Sequence, residues 1–472
     1  MQDVTTARAP RADQVRRLRE EYPVFRISDA RAVVGPRGVR LEFAFAAGAL
    51  RFRPVVEFTG LHPDEAGRVV TVTAQRMIRA LAIIEAFSYW KALCSPVIEV
   101  ALPAPDAAEL DWWQAFWPGA MGEFFYRNRI DYTAPGFLVI RGPADAGGPG
   151  GHAPDGGGTG PPLVLFSGGK DSLALARVVS ASSAPAPADF FLYNPGERLR
   201  GLAGSLASGG RLVEVRRAIL PELLALNAAG HPNGHTPFSA YLAFAAMLAG
   251  YLRGNGPVMA GNSRSDDEPN VRSYLGRPVN HQWTKSYEFE AAARSYRDRW
   301  LPGAPGYSSP LRPLYEVQII ASLAGDVDAY LRTVSCNRAR GGGWCRSCAK
   351  CAWVFLATAA LFGHDLAIRK TGADMFADPA LSGVYQEMAG LTGVKPFECT
   401  GSEDEVRAAI QAVGHGQPPD AYPALAACLR DPAVAGARPL AALLAGWGHD
   451  DLVPADVRGQ VSKARADAAA RG

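Results

Sequence analysis

The stretch "LVLFSGGKDSLALARVV", Leu163 to Val179, runs four apolar residues into a glycine-rich turn and then into an apolar pattern at helical spacing. This predicts a buried strand feeding a helix through a turn that lets an anion approach the backbone. Two common phosphate-loop patterns fail here. The triphosphatase loop needs a hydroxyl residue after G-K, but Gly169-Lys170 is followed by Asp171. The pattern G-x-G-x-x-G fails too. What stands is S-G-G-K-D-S. Ser167, Gly168 and Gly169 bring backbone close to an anion, Lys170 adds a cation, and Ser172 can cap the helix or bind an oxygen. Asp171 would repel phosphate unless a cation lies between them, which points to Mg²⁺. The loop suits a pyrophosphate leaving group rather than a transferred γ-phosphate. A tight turn with incidental glycines is the bland alternative, and six matching positions between a strand and a helix weigh against it.

Downstream, strands and helices alternate. "DFFLYN" (Asp189 to Asn194), "RLVEV" (Arg211 to Val215) and "PVMAGN" (Pro257 to Asn262) read as strands. "PELLALNAAG" and "PFSAYLAFAAMLAGYL" read as helices. The expected fold class is therefore α/β, a doubly wound parallel sheet with ligands at the carboxyl ends of its strands. The loops after Phe166, Asn194 and Gly261 form the expected rim, and Asn262 joins the loop as a further ligand contact. Upstream, "VRLEFAFAAGALRFRPVVEF" has strand alternation, while "TAQRMIRALAIIEAFSYWKAL" and "WWQAFWPGAMGEFFYRNRI" read as helical. The expected organisation is an α+β N-terminal domain (1–140), a Gly/Pro-rich flexible linker (141–162), the loop-bearing α/β domain (163–335), a cysteine-bearing segment (336–400) and a helical C-terminal region (401–472).

The 472 residues carry 49 basic and 46 acidic side chains, a net charge of +3. So even a balance argues against a nucleic-acid partner. The longest uncharged apolar run, Phe238 to Leu252, is shorter than the roughly 20 residues that span a bilayer, and reads as a buried helix. No apolar export core is visible near the N-terminus, so a cytoplasmic setting is expected, with no disulfide framework among the seven cysteines. Four of them, Cys336, Cys345, Cys348 and Cys351, are spaced C-x8-C-x2-C-x2-C. Four thiolates close a tetrahedral zinc shell, leaving no open position, so such a site is structural. An iron–sulfur cluster uses the same four ligands.

Polar residues collect in several other short stretches. They are Lys91 in "FSYWKA", Arg127 and Asn128 in "GEFFYRN", and Asn233 and His235 in "NAAGHPNGHTP". Arg264 follows Asn262, His281 and Lys285 lie in "VNHQWTKSYEFE", Arg312 in "SPLRPL", and Lys395, Glu398 and Cys399 in "VKPFEC". Each alone reads as a cap, a packing contact or a solvated group. Together, at predicted strand ends and loops, they fit a large polar ligand.

The loop S-G-G-K-D-S resembles that of the PP-loop ATP pyrophosphatases. This implies a HUP-type domain and chemistry in which ATP gives AMP to a substrate oxygen and releases pyrophosphate. A narrower resemblance lies in the ordered set "SYWKA", "GEFFYRN", "NGHTP", "NHQWTK", "LRPL", "SCNRA…WCRSCAKC" and "KPFEC" around that loop, from Ser88 to Gly401. It is similar to the UDP-N-acetylmuramoyl-L-alanyl-L-glutamate epimerase family (MurL type). The Gly/Pro insertion and both chain ends have no counterpart in the pattern.

The resemblance implies inversion of the terminal L-glutamate of a nucleotide-linked peptidoglycan precursor. Adenylation turns the carboxylate into a neutral mixed anhydride, whose α-hydrogen a side-chain base can remove. Lys170 and Asp171 with Mg²⁺ would stabilise the leaving pyrophosphate. Two acid/base groups are drawn from His235, His281, Lys285, Glu398 and Cys399. Arg127, Arg264 and Arg312 would grip the diphosphate or the glutamate side chain, with Lys91, Asn128, Asn233 and Lys395 as further substrate contacts. The implied cofactors are ATP, Mg²⁺ and a structural Zn²⁺. Two other readings compete. One is an amidating or ligating enzyme that traps the same adenylate with nitrogen. The other is a tRNA-binding or zinc-stabilised adaptor with a relic ATP site, disfavoured by the balanced charge and the intact loop.

Overall fold

The computed structural model describes residues 8–102, 105–142, 158–182, 186–338 and 343–471. The fold is mixed α/β around a large, mostly parallel sheet. Its strands, with one hairpin beside it, are β1 Val24–Gly35, β2 Gly38–Ala47, β3 Leu50–Phe52, β4 Val55–Thr59, β5 Val97–Val100, β6 Val139–Arg141, β7 Leu163–Leu165, β8 Asp189–Tyr193, β9 Leu212–Arg217, β10 Val258–Met259, β11 Val271–Tyr274, β12 Arg277–Val279 and β13 Tyr307–Ser308. Among the described residues, eleven strands join one sheet in the order β13-β10-β7-β8-β9-β4-β2-β1-β5-β6, with β3 on β2, and β11 and β12 form the separate hairpin.

The five strands β13, β10, β7, β8 and β9 run parallel, and their order reverses at β7. β8 lies on one side of β7 and β10 on the other, which opens a crevice at the carboxyl end of β7. Adjacent residues on each strand serve opposite faces, as a sheet covered on both sides requires. Leu163, Phe191 and Val258 enter the core that holds the helices Val72–Trp90 and Phe238–Arg253. Val164, Phe190 and Met259 enter the core formed with Lys170–Ser180, Glu316–Ser322 and the C-terminal helices. The last helix, Ala455–Ala469, packs on both Glu316–Ser322 and Lys170–Ser180, so the Ala-rich C-terminal region backs the loop-bearing helix.

Several expectations are revised. The sheet is not wholly parallel and does not stop at the Gly/Pro segment. β4 pairs antiparallel with β9, Val56 opposite Arg217 and Thr59 opposite Glu214, and so carries the N-terminal strands into the same sheet. The stretch 141–162 falls mostly on 143–157, outside the described residues. Its end is packed rather than loose: Gly160 N donates to Gly254 O (3.2 Å) and Gly256 N to Gly160 O (3.0 Å). A Cβ at Gly158 would lie 2.0 Å from Asn255 O. The aromatic stretch 112–130 forms two helices, Ala107–Ala120 and Gly122–Asn128, broken at Met121 just after the in-helix Pro118. No helix among the described residues is long and apolar enough to cross a membrane.

Candidate active site

The turn after β7 needs glycine. Gly168 has φ +76°, which L side chains rarely adopt, and a Cβ there would stand 3.0 Å from Leu199 Cδ1. Gly261, at the end of the neighbouring β10, lies so close that its Cβ would come within 3.0 Å of the Asp171 carbonyl. The helix Lys170–Ser180 begins at Gly169 with no side-chain cap. Ser172 does not cap it; its hydroxyl donates to the Gly169 carbonyl at 3.0 Å. The first-turn N–H groups are thus left for a ligand at the mouth of the crevice.

Lys170 is 3% exposed. Its Nζ lies 2.6 Å from Asp171 Oδ1 and 2.9 Å from Glu316 Oε2, and Glu316 Oε2 also accepts from Trp353 Nε1 at 2.5 Å. Burial opposes the ammonium charge, but the two carboxylates outweigh it and raise the pKa of Lys170. Burial likewise opposes ionisation of Glu316, and Lys170 outweighs it, so that carboxyl is held below its usual range. This wall borders a cavity of about 650 Å³, which Ser167, Gly169, Asp171, Ser172 and Asn262 also line. Such a volume fits a nucleotide-sized ligand. Asn262 is held by its Nδ2 donating to Tyr307 Oη (3.1 Å) and Ser309 Oγ (2.9 Å).

The facing wall is a cluster of titratable groups. Cys399 Sγ lies 3.3 Å from Lys285 Nζ, which also reaches Gln282 Oε1 at 3.2 Å. Desolvation opposes ionisation of the thiol, but Lys285, Lys350 and His281 outweigh it and bring the Cys399 pKa down to about 5. His281 hydrogen-bonds Cys399 and donates from Nδ1 to Glu123 Oε2 at 2.5 Å. These partners outweigh burial and raise His281 to about 9. His235 Nδ1 approaches the same Glu123 oxygen at 3.1 Å, yet burial dominates and lowers His235 to about 4. Glu123 itself resists burial and stays below its usual range, because both imidazoles and Arg127 favour its charge. Asp266, on the same cavity, is raised by burial to about 7 despite Lys285 nearby. At neutral pH the wall therefore holds a thiolate, an imidazolium and a neutral imidazole within a few ångströms.

Four of the five acid/base candidates, His235, His281, Lys285 and Cys399, meet in this cavity. Glu398 does not: its carboxylate binds Arg338 and accepts from Lys350 N at 3.0 Å. Lys91, Asn128 and Asn233 act one step back. Lys91 Nζ donates to Gly234 O (2.7 Å) and Asn128 Nδ2 to Asn233 O (2.9 Å), fixing the loop that carries His235. Burial lowers Lys91 to about 8. Two arginines expected as ligand contacts are struts instead. Arg312, 1% exposed, is held by Ser263 O (2.6 Å), Lys285 O and Glu290. Arg264 stacks on Tyr315 (4.5 Å) and donates to Trp447 O. Arg127 and Lys395 line a second cavity with Glu398. Sequence reasoning missed the roles of Glu123, Asp266, Glu316 and Lys350. Glu123 shares the stretch "GEFFYRN" with Arg127 and Asn128, and that polar grouping was the visible signal.

The four cysteines converge. Cys336, Cys345, Cys348 and Cys351 offer sulfurs within 4.8 Å of one another, with Cys345–Cys351 at 3.6 Å and Cys348–Cys351 at 3.5 Å. Ligands about 2.3 Å from one tetrahedral centre stand about 3.8 Å apart, so the set fits a four-thiolate zinc centre. Cys348 precedes the helix Ala349–Phe362, whose first turn presents Lys350 to the cavity, and Cys336 lines that cavity too. Lys370 pins the approach to Cys336, its Nζ donating to Tyr330 O, Thr333 O (2.7 Å) and Thr333 Oγ1 (2.8 Å).

Residues 16–309 match the MurL N-terminal domain and residues 332–433 the MurL C-terminal domain. Three curated proteins named UDP-N-acetyl-alpha-D-muramoyl-L-alanyl-L-glutamate epimerase are similar. That of Salinispora tropica is 34% identical over 380 residues, 78% of this chain and 79% of that protein. That of a Micromonospora species is 33% identical over 365 residues (76% and 79%), and that of Xanthomonas oryzae pv. oryzae 30% over 360 residues (74% and 76%). No solved structure matches.

Proposed function

This chain belongs to the MurL family, and we propose from that premise that it is an ATP-dependent epimerase inverting the terminal glutamate of UDP-N-acetylmuramoyl-L-alanyl-L-glutamate. The observation that carries the reading is one cavity with a phosphate-suited helix start on one wall and Cys399, Lys285 and His281 gathered on the other.

In this reading ATP is a co-substrate whose phosphates lie at the start of Lys170–Ser180, the HUP-type position. The glutamate α-carboxylate oxygen attacks the α-phosphorus and pyrophosphate leaves, forming an acyl adenylate. Lys170 and the first-turn N–H groups offset the charge on the departing pyrophosphate. Asp171, which lines the cavity with its side chain one-third exposed, would hold Mg²⁺, which supplies charge neutralisation there when bound.

With its carboxylate neutralised, the α-carbon gives up its proton to the Cys399 thiolate. Lys285 and His281 keep that thiol ionised before the transfer. The resulting enolate takes a proton on its other face from a donor across the substrate from Cys399, while His281, hydrogen-bonded to Cys399 and with its charge sustained by Glu123, holds the thiolate in place. Water then cleaves the anhydride and releases AMP. The sum is one ATP hydrolysed to AMP and pyrophosphate for one inverted centre. Four cysteines close the zinc site, which leaves it no chemical step and makes it a brace for Asn337 and Lys350 at the cavity edge.

Turnover in D₂O tests this. Deuterium should enter the glutamate α-carbon only with both ATP and the UDP-muramoyl dipeptide present, with AMP formed in step with the D-product and no amine needed. An α,β-non-hydrolysable ATP analogue should stop the exchange. ATP consumption without α-deuterium would reject epimerisation in favour of a ligase.

A further inference from the structure

We infer that the second cavity binds the nucleotide diphosphate end of the substrate while the reacting glutamate occupies the first, an assignment that rests on the functional reading above. The second cavity encloses about 480 Å³ and is lined by Arg127, Arg338, Lys395, Phe397 and Glu398, with Glu387 at its rim.

Reach makes a second subsite necessary. Two residues of extended peptide span about 7 Å. An alanyl-glutamate whose α-carbon sits at Cys399 therefore places the sugar and diphosphate beyond the catalytic cluster, and the rest of the first cavity is taken by the nucleotide at the glycine loop. The two cavities share a wall. Within one short segment, Lys395 to Glu398 line the second cavity and Cys399 lines the first. The helix Gly122–Asn128 does the same, with Glu123 holding the histidines of the first cavity and Arg127 in the second. A ligand that passes over this wall reaches both.

The lining suits a diphosphate. Arg127 and Arg338 have side chains 51% and 62% exposed. Arg127 meets Glu123 through Nε at 2.6 Å and Arg338 meets Glu398 through one terminal nitrogen. This leaves the other guanidinium N–H groups for phosphate oxygens, for which the planar fork is well shaped. Exposed ion pairs alone contribute little to stability, so these arginines need another reason to be there. Lys395 adds charge beneath them, paired at 2.8 Å with Glu268. Arg127 lies 4.7 Å above the Phe397 ring, which holds its guanidinium at the cavity. The Glu387 carboxylate is an acceptor for ribose hydroxyls.

The full chain with Arg338→Gln decides it, because an exposed side chain can be exchanged without disturbing the core. KM for the UDP-muramoyl dipeptide should rise at least about tenfold, the loss of one charge-assisted contact, with kcat and the KM for ATP unchanged. With nucleotide-free muramoyl-L-alanyl-L-glutamate the variant should equal wild type. UDP should inhibit competitively against the peptide substrate and not against ATP. In calorimetry, UDP alone should bind wild type and bind the variant at least about tenfold more weakly. Equal KM penalties with both substrates, an unchanged KM, or UDP competing with ATP would each overturn the assignment. A wild-type protein that binds UDP with this Arg338 dependence yet inverts no glutamate would leave the subsite standing and defeat the functional reading.

Discussion

Replacing Lys170 with Met removes the only cation in contact with Glu316 among the described residues and leaves the apolar stem in place. Both side chains are nearly inaccessible, and their polar atoms are 2.9 Å apart. With the ammonium gone, the Glu316 carboxylate keeps one close donor, Trp353 Nε1. Breaking a buried pair from one side costs about 3–5 kcal/mol, because a desolvated charge loses its partner. Removing both charges costs far less, since neither is stranded. Lys170→Met should therefore lower the urea midpoint by an amount equal to about 3–5 kcal/mol at unchanged m-value. The double variant Lys170→Met/Glu316→Gln should regain more than half of that. Pyrophosphate release should be lost in both, because the cation at the leaving group is missing in both. A single variant within about 1 kcal/mol of wild type, or a double variant as unstable as the single one, would refute the view of Lys170 and Glu316 as a tightly coupled buried pair.

Three further outcomes follow from the site. The pH profile of kcat/KM should rise as pH passes about 5, where Cys399 ionises, and fall as it passes about 9, where His281 gives up its proton; a profile without the acid limb would remove Cys399 as the base. Metal analysis should give about one zinc per chain, and Cys348→Ser should lower stability by several kcal/mol, since metal binding is coupled to folding; iron and a brown colour would assign the cluster differently. Asp171→Asn should lower the urea midpoint less than Lys170→Met does, because Glu316 still faces the buried ammonium, yet stop pyrophosphate release; release at the wild-type rate would remove Asp171 from the phosphate site.

The sequence alone carried whatever is set by backbone geometry over a few residues. Gly168 at φ +76° between a short strand and a helix is one such feature, and the cysteines at Cys336, Cys345, Cys348 and Cys351 are another. In both, spacing along the chain fixes spacing in space. Period and composition likewise marked the helices Val72–Trp90 and Phe238–Arg253, because amphipathic and apolar runs report burial directly. Tertiary structure decided which distant residues meet. The antiparallel joint of β4 and β9, more than 150 residues apart, has no local signature, since any two half-apolar strands can pair. The same holds for charge. Arg127 and Arg312 look alike in sequence, but one stands half-exposed over a cavity and the other is enclosed by carbonyls and Glu290. Glu123 became central only when folding brought His235 and His281 onto one of its oxygens. Burial and neighbouring charge set what a titratable group does, and both are properties of the packed molecule rather than of the residue.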